Sequence, residues 1–215
     1  MPVTTRLVLV RHGQTSANYL RVLCGSTDLP LDPVGERQAQ LVAQRIATEM
    51  AIDALVSSPM TRARATASPI AALTGLDIEE AHDLREVSFG DLEGSTVEHL
   101  ETKHPHIAEL MLDPHNTSLR WPNGDHMQEF YARTQSAFAE IAHAHVRKTV
   151  VVVAHGAVIG GYLRYVTGAP INAWRTHGVR NCSISLVDVV DGRPTVSSAN
   201  DCAHLDTVLE LVQEA

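Results

Sequence analysis

Two histidines stand in the same local setting at distant points of the chain, and histidine is well suited to nucleophilic and acid–base chemistry near neutral pH. His12 comes just after the apolar run 7–10, His155 comes after the run 150–154, and a glycine follows each histidine. Short apolar runs rich in β-branched residues are typical of strands buried on both faces. Because ligands bind beyond the carboxyl ends of the strands in an open α/β sheet, the two histidines are predicted to face one pocket.

Two arginines could give this pocket a preference for anions. Arg11 adjoins His12, and a guanidinium at a buried strand end needs a partner, for which its planar fork suits a phosphate. Arg62 is predicted in the first turn of a helix, where a cation opposes the helix dipole and a bound anion would favour it. Arg64 falls about 200° round the same helix, so Arg62 is the better candidate. The simpler interpretations are that backbone carbonyls hold Arg11 and that Arg62 is an exposed surface residue.

The elements that would position these groups alternate between strands and helices. Asp32 and Pro33 are typical of a helix start, and this helix would cross from the first strand to a second, parallel one. Asp191 and Gly192 favour a hairpin turn that adds an antiparallel edge. The predicted strands are 7–10, 53–57, 78–81, 150–154, 181–190 and 195–198. The predicted fold is a three-layer α/β fold with a mostly parallel central sheet, an antiparallel edge strand and helices on both faces.

The chain is predicted to form a single domain over residues 1–215. Residues 95–124 are its least regular part and predict a small helical cap, inserted at the edge of the sheet. Asp125 is the predicted N-cap of a long helix that extends to His145. A further helix over 157–167 would point its N-terminal N–H groups toward the pocket that the histidines share.

Composition limits the classes of partner. The chain has 215 residues and a formal net charge of −8, which disfavours non-specific binding to nucleic acid. It contains no apolar run of membrane-spanning length and no signal-peptide core near its N-terminus, so a cytoplasmic protein without a membrane partner is expected. Cys24, Cys182 and Cys202 are widely spaced, which argues against a disulfide framework and against a thiolate zinc site.

Five separated segments form one pattern along nearly the whole chain. They are 11–15 with Asn18, 58–63, 84–86 with 90–94, 154–156, and Asn181. In this order they resemble the signature motifs of the histidine phosphatase superfamily, also called the phosphoglycerate-mutase-like family. The acid segment 89–94 and residues 200–205 resemble the phosphatase branch of that family more than a mutase. The resemblance implies the same three-layer fold.

The resemblance also implies a role for each matching residue. His12 would attack phosphorus to give a phosphohistidine, oriented by a hydrogen bond from its other ring nitrogen to a backbone carbonyl. Glu86 would protonate the leaving alcohol and then accept a proton from water, with Glu93 as the rival acid. The phosphate would be held by Arg11, Asn18, Arg62, His155 and the N–H of Gly156. These groups supply enough positive charge that neither a metal nor another cofactor is expected.

The chain departs from the family pattern just before the long helix. Where the family often carries Pro-Gly-Gly-Glu-Ser, residues 122–126 read Pro-Asn-Gly-Asp-His, so this part of the substrate wall does not follow from the family. Arg21, Trp121 and His126 are the candidate wall residues. They suggest a polar phosphometabolite such as a sugar phosphate or a phosphoglycerate derivative, with a phosphoprotein as an open alternative.

The sequence therefore predicts a metal-independent phosphomonoesterase that acts on a small phosphorylated metabolite. A phosphoglycerate mutase is the nearest alternative, because it shares the motifs. A non-catalytic phospholigand-binding protein is a less favoured alternative, because it would lack at least one catalytic group. His12, Arg62, Glu86 and His155 are all present. A metal-dependent hydrolase would need clustered ligands among the 12 histidines and the carboxylates. Because family members are often dimers, a homodimer is also an expectation.

Overall fold

The computed structural model describes residues 4–170, 172 and 178–205, and a six-stranded sheet lies at its centre. The strands are β1 (Thr4–Arg11), β2 (Ala54–Ser57), β3 (Ile78–Glu80), β4 (Thr149–Ala154), β5 (Ile184–Val190) and β6 (Arg193–Asp201). The helices are α1 (Ser16–Leu20), α2 (Pro33–Glu49), α3 (Thr61–Thr74), α4 (Val97–Lys103), α5 (Pro105–Leu112), α6 (Met127–Ala144) and α7 (Gly156–Thr167). The strand order across the sheet is β3-β2-β4-β1-β5-β6.

The first four strands are parallel, and β5 runs antiparallel to both of its neighbours. β1 pairs with β4, β4 with β2 and β2 with β3 in parallel, whereas β5 is antiparallel to β1 and to β6. The predicted α/β fold with an antiparallel edge is therefore confirmed. β1 and β2 are parallel, as predicted, but they are not neighbours, because β4 from the second half of the chain lies between them.

Alternating side chains of the central strands build one core on each face of the sheet. Leu7 and Leu9 belong to a cluster with buried residues of α6 and α7, whereas Val8 and Val10 belong to a second cluster with buried residues of α2 and α3. β4 alternates between the two clusters in the same way. Because helices cover both faces, these inner strands are apolar at nearly every position, and the molecule has three layers.

Two local signals in the sequence are confirmed by the structure. The Asp32 side chain accepts a hydrogen bond from Gly35 N and caps α2 at the predicted residue. Asp191 and Gly192 have φ angles of 48° and 77° and form the turn between β5 and β6. Positive φ at both positions is what a type I′ hairpin requires, and it is the reason why Asp-Gly favours this turn.

The predicted cap of the long helix is wrong. α6 begins at Met127, and its N-cap residue is His126 rather than Asp125. The physical reason is that Asp125 has a different partner: its Oδ2 accepts a hydrogen bond from Ser88 N at 3.0 Å. The carboxylate therefore connects the start of α6 to Ser88, just before the acid segment, and does not cap the helix.

The segment predicted as a cap contains the two short helices α4 and α5. Leu100 and Met111 from these helices are buried in the same core cluster as α6 and α7. The cap therefore extends the core on that face of the sheet. Within residues 4–170, 172 and 178–205, no helix combines the length and the apolar character needed to cross a membrane.

Candidate active site

The ends of β1 and β4 bring the two histidines together. The strands pair in register up to Arg11 and Ala154, and His12 N donates a hydrogen bond to Ala154 O at 2.9 Å. The His12 and His155 rings follow directly, with their centroids 5.1 Å apart. Both rings are almost completely buried. The strand ends thus place two imidazoles in contact, as the sequence predicts.

Hydrogen bonding defines which nitrogen of His12 carries a proton. Nδ1 lies 2.7 Å from Gly13 O, and because a carbonyl can only accept, Nδ1 must donate and Nε2 must keep its lone pair when the ring is neutral. Burial, followed by the charges of Arg11 and Arg62, holds the pKa of His12 well below its usual value. His12 is therefore a neutral imidazole with a nucleophilic Nε2 at neutral pH.

The same reasoning gives the opposite tautomer for His155. Arg62 Nε lies 3.3 Å from His155 Nδ1, and Ser58 Oγ lies 2.7 Å from Nε2. A guanidinium only donates, so Nδ1 is the acceptor and Nε2 carries the proton that Ser58 accepts. Burial, and then the neighbouring His12 and arginines, hold the pKa of His155 well below its usual value. The positive charge of the site thus resides on the guanidiniums.

Arg62 is a buried residue, so its interpretation as a surface arginine is ruled out. It is 1% exposed. Nη1 donates to Thr27 O at 2.9 Å and Nη2 donates to Gly25 O at 2.8 Å. Arg64 instead forms an exposed ion pair with Glu80. Arg62 therefore does two things: it holds the loop after α1 in place and brings a positive charge to His155.

Arg11 offers a donor to an anion. Its Nη1 donates to Val179 O at 2.6 Å, whereas its buried Nε has no acceptor among the described residues. A Cβ at position 156 would lie 3.3 Å from Arg11 Cζ, so Gly156 lets the start of α7 approach the guanidinium closely. A buried donor without an acceptor is unfavourable, and a phosphate oxygen would satisfy it.

Glu86 is held by backbone groups from two elements. Val87 N donates to its Oε1 and Ala157 N donates to its Oε2, both at 3.0 Å. The second of these bonds fixes the carboxyl to the first turn of α7, next to Gly156. Glu86 therefore has a defined orientation beside the residues that follow His155.

Asn18 and Asn181 are joined by a hydrogen bond. Asn18 Oδ1 accepts from Thr15 N and from Asn181 Nδ2, each at 3.1 Å. Asn181 Nδ2 also lies 3.0 Å from His12 O, to which it donates. Because its oxygen is occupied, Asn18 has its Nδ2 group to present to an anion. Asn181 acts on the site through the backbone of His12.

A cavity of about 330 Å³ lies next to the strand ends, and Arg11, Asn18, Glu86 and Gly156 line it. His12, Arg62 and His155 are not among its lining residues, although Arg11 and Gly156 adjoin the two histidines in the chain. Trp121, a candidate wall residue, also lines the cavity. Arg21 and His126 are not among the lining residues. Arg21 ends α1 on the exposed surface with a φ of 56°, and His126 Nδ1 lies 3.6 Å from the Glu129 carboxylate at the start of α6.

Glu93, the rival acid, has a structural role. Its carboxylate accepts from Gly25 N at 2.9 Å and from Ser26 N and Phe89 N at 3.0 Å. Burial alone raises the pKa of Glu93, but these N–H donors outweigh burial and leave the pKa below its usual value. An ionised carboxylate surrounded by donors is a poor proton donor, so Glu93 organises the loop that also binds Arg62.

Replacing Glu93 by Gln is expected to lower the free energy of unfolding by about 2–3 kcal/mol at pH 7, because charge-assisted hydrogen bonds to backbone N–H groups are lost. Since folding lowers the pKa of Glu93, its stabilising effect is present above the ordinary carboxyl pKa and disappears as the pH falls through the folded-state value. Urea unfolding of wild type and variant at pH 7 would measure the difference between their free energies of unfolding. The same measurement below about pH 4 should give a smaller difference. The exposed Glu101→Gln is the matched control, and equal stability of the two variants contradicts the assignment.

Several residues of the site were not singled out from the sequence. Ser58 lies in a recognised motif, but its bond to His155 depends on an approach of β2 to β4. Tyr131 and Arg164 also line the cavity, and Arg164 Nη2 donates to Tyr131 Oη at 3.1 Å. The sequence offered a signal that could have identified Arg164 as a site residue, because it is the charged residue in the mainly apolar helix α7. Groups of three or more potential metal ligands are not found within the described ranges.

Known proteins with similar sequences and structures share one family. The family model of the histidine phosphatase superfamily (branch 1) matches residues 7–202. The probable phosphoglycerate mutase GpmB of Photorhabdus laumondii is 34% identical over 207 residues, which cover 94% of this chain and 95% of that protein. The Entamoeba histolytica phosphoserine phosphatase in complex with 3-phosphoglyceric acid has a TM-score of 0.83 at 28% identity, over 94% of this chain and 99% of that one. A mycobacterial glucosyl-3-phosphoglycerate phosphatase has a TM-score of 0.81 at 25% identity, over 93% and 100% of the two chains.

Proposed function

Because the chain belongs to the histidine phosphatase superfamily, we propose that it is a metal-independent phosphomonoesterase that acts on a small phosphorylated metabolite through a phosphohistidine on His12. One observation carries the proposal. His12 keeps the Nε2 lone pair because Nδ1 donates to Gly13 O, and the neighbouring Arg11 has a buried Nε without an acceptor among the described residues. A nucleophile and a donor for an anion therefore stand side by side at the end of β1.

In the first step, His12 Nε2 forms a bond to phosphorus while the bond from phosphorus to the alcohol oxygen breaks. The carboxyl of Glu86 gives its proton to the leaving oxygen. The guanidiniums of Arg11 and Arg62 stabilise the equatorial oxygens, aided by the N–H of Gly156, because phosphoryl transfer depends mainly on positioning and charge. The products of this step are the free alcohol and phosphohistidine.

In the second step, a water oxygen bonds to phosphorus while the P–N bond to His12 breaks. Glu86 accepts the proton from this water, and inorganic phosphate leaves. When the phosphate dianion binds, its charge favours the protonated form of His155, which takes one proton from solvent and donates from Nδ1 to a phosphoryl oxygen. His155 returns this proton to solvent when phosphate leaves. His12 and Glu86 then return to the protonation states in which they began.

Hydrolysis of 4-nitrophenyl phosphate is expected to continue in an excess of EDTA, because the positive charge comes from arginines rather than from a metal. Quenching in alkali during turnover, followed by mass spectrometry, is expected to find phosphate on the peptide that contains His12, since phosphohistidine survives alkali. A metal-dependent phosphatase in the same buffer serves as the control. Loss of activity in EDTA with recovery on adding a divalent cation would contradict the proposal.

Phosphoglycerate mutase is the second candidate, because the relative from Photorhabdus laumondii carries that name. A mutase returns the phosphoryl group to a phosphoglycerate, whereas a phosphatase transfers it to water. Incubation with 3-phosphoglycerate, followed by phosphorus NMR, separates the two reactions. Release of inorganic phosphate faster than conversion to 2-phosphoglycerate supports the phosphatase, and the reverse order supports the mutase.

Other expectations stay predictions from the sequence. They are the cytoplasmic location, the homodimer, the absence of nucleic-acid and membrane partners, the single domain, and the absence of a cofactor.

A further inference from the structure

The cavity lined by Arg11 and Gly156, the chain neighbours of the two histidines, has two kinds of wall. Arg11, Asn18 and Glu86 form the polar wall, which the phosphate and the reacting oxygen require. The other wall consists mainly of aliphatic and aromatic side chains, and its polar members are Cys24, Tyr131, Arg164 and Asn172. The side chains that carry the inference are Leu23, Phe89, Val97, Met111, Leu119 and Trp121. A bound ester would place its phosphate on the first wall and its alcohol portion against the second.

The polar atoms nearest to the apolar wall already have partners. The Trp121 indole N–H donates to Met127 Sδ at 3.1 Å, and its ring packs edge-to-face on Phe89 with centroids 4.9 Å apart. Tyr131 Oη accepts from Arg164 Nη2 at 3.1 Å, and Asn172 Nδ2 donates to Leu110 O at 3.3 Å. These contacts fix the side chains before any ligand binds. The apolar wall is therefore preformed and offers few hydrogen-bond partners.

Such a wall discriminates between alcohols by their polarity. A hydroxyl group placed against it loses its hydrogen bonds to water without replacement, whereas burial of apolar surface there is favourable. The volume of about 330 Å³ lies in the range of small-molecule sites and accommodates a ring or a branched chain. This substrate class differs from the polar metabolite that Arg21, Trp121 and His126 suggested in the sequence.

We propose that the substrate is the monophosphate ester of an apolar alcohol, with a carbocyclic, aromatic or branched aliphatic body that packs on this wall. The inference rests on the proposed phosphatase function and narrows its substrate class. It assigns selectivity to the side chains from the loop after α1, the acid segment and the cap.

A matched pair of esters tests the proposal. Cyclohexylmethyl phosphate and glucose 6-phosphate both release a primary alcohol attached to a six-membered ring, and they differ mainly in hydroxyl groups. We expect kcat/KM for the cyclohexyl ester to be higher by about tenfold or more. Val97→Thr, which keeps the shape but adds a hydroxyl, is expected to reduce this ratio by about threefold or more. The exposed Val146→Thr is the control and should leave the ratio unchanged.

The outcomes separate the substrate class from the function. An equal or greater kcat/KM for glucose 6-phosphate overturns the apolar substrate class and leaves the phosphatase function intact. If neither ester is hydrolysed, 4-nitrophenyl phosphate decides the proposed function, which fails if that ester is not hydrolysed either. Calorimetric binding of the two esters to the wild-type protein then decides the substrate class. Tighter binding of the cyclohexyl ester supports the apolar wall, and equal or tighter binding of glucose 6-phosphate overturns it.

Discussion

His12→Asn is expected to lower kcat for phosphomonoester hydrolysis by about 10⁴-fold or more, the effect of removing a nucleophile. The asparagine amide can replace the bond from Nδ1 to Gly13 O, so the loop keeps its hydrogen bond. No atom of asparagine replaces Nε2, and the phosphohistidine cannot form. Stopped-flow and steady-state assays with 4-nitrophenyl phosphate would measure both the burst and the turnover.

The control for this experiment is His143→Asn, an exposed histidine on α6. It should retain wild-type turnover, and both variants should unfold at similar urea concentrations. A loss of only about tenfold in His12→Asn would contradict nucleophilic catalysis by His12, since removal of a nucleophile costs several orders of magnitude.

Arg62→Lys is expected to reduce kcat/KM by about 10²–10³-fold and the free energy of unfolding by about 2–4 kcal/mol. Lysine keeps the charge but not the planar fork. It cannot donate to Thr27 O, Gly25 O and His155 together. The carbonyls of Gly25, which is buried, and of Thr27 then lose their donors, and the loop after α1 is released from α3. Urea denaturation and kcat/KM for an aryl phosphate would measure the two effects.

Arg64→Lys is the matched control, because it lies on the same helix and pairs with Glu80 at the surface. Its stability should stay within about 0.5 kcal/mol of wild type, with unchanged kcat/KM. If Arg62→Lys behaves like Arg64→Lys, the guanidinium neither holds the loop nor contributes to the site.

Residues that adjoin the strand ends could be placed from the sequence. His12 and His155 follow apolar runs whose carboxyl ends must meet on the same edge of a parallel sheet, and the structure brings the rings into contact. Arg62 could be chosen over Arg64 from helix geometry alone. In these cases one local pattern determines the direction of the side chain.

Features that depend on contacts between distant segments could not be predicted. The sequence leaves Glu93 as a rival acid because the contacts that reveal its structural role are not local. The N–H groups of Gly25 and Ser26, which donate to its carboxylate, come from a loop far away in the sequence. Aspartate is a typical N-cap residue, but the Asp125 carboxylate accepts a hydrogen bond from the distant Ser88 N instead. The apolar wall was missed for the same reason, since its side chains meet only after α4, α5 and α6 have packed. The polar group of the Trp121 side chain is its indole N–H, and this group donates a hydrogen bond to Met127 Sδ.

The insertion of β4 between β1 and β2 also determines when His12 and His155 can meet during folding. Val8 pairs with Val151, and Leu55 pairs with the same residue from the other side. Such distant pairings close large loops and slow the formation of the native state. Until residues 149–154 have been synthesised, β1 and β2 each lack a neighbour and expose backbone groups to other chains. A nascent chain therefore carries His12 from the outset, but the edges of β1 and β2 that pair with β4 stay open to other chains until the segment that leads to His155 has been made.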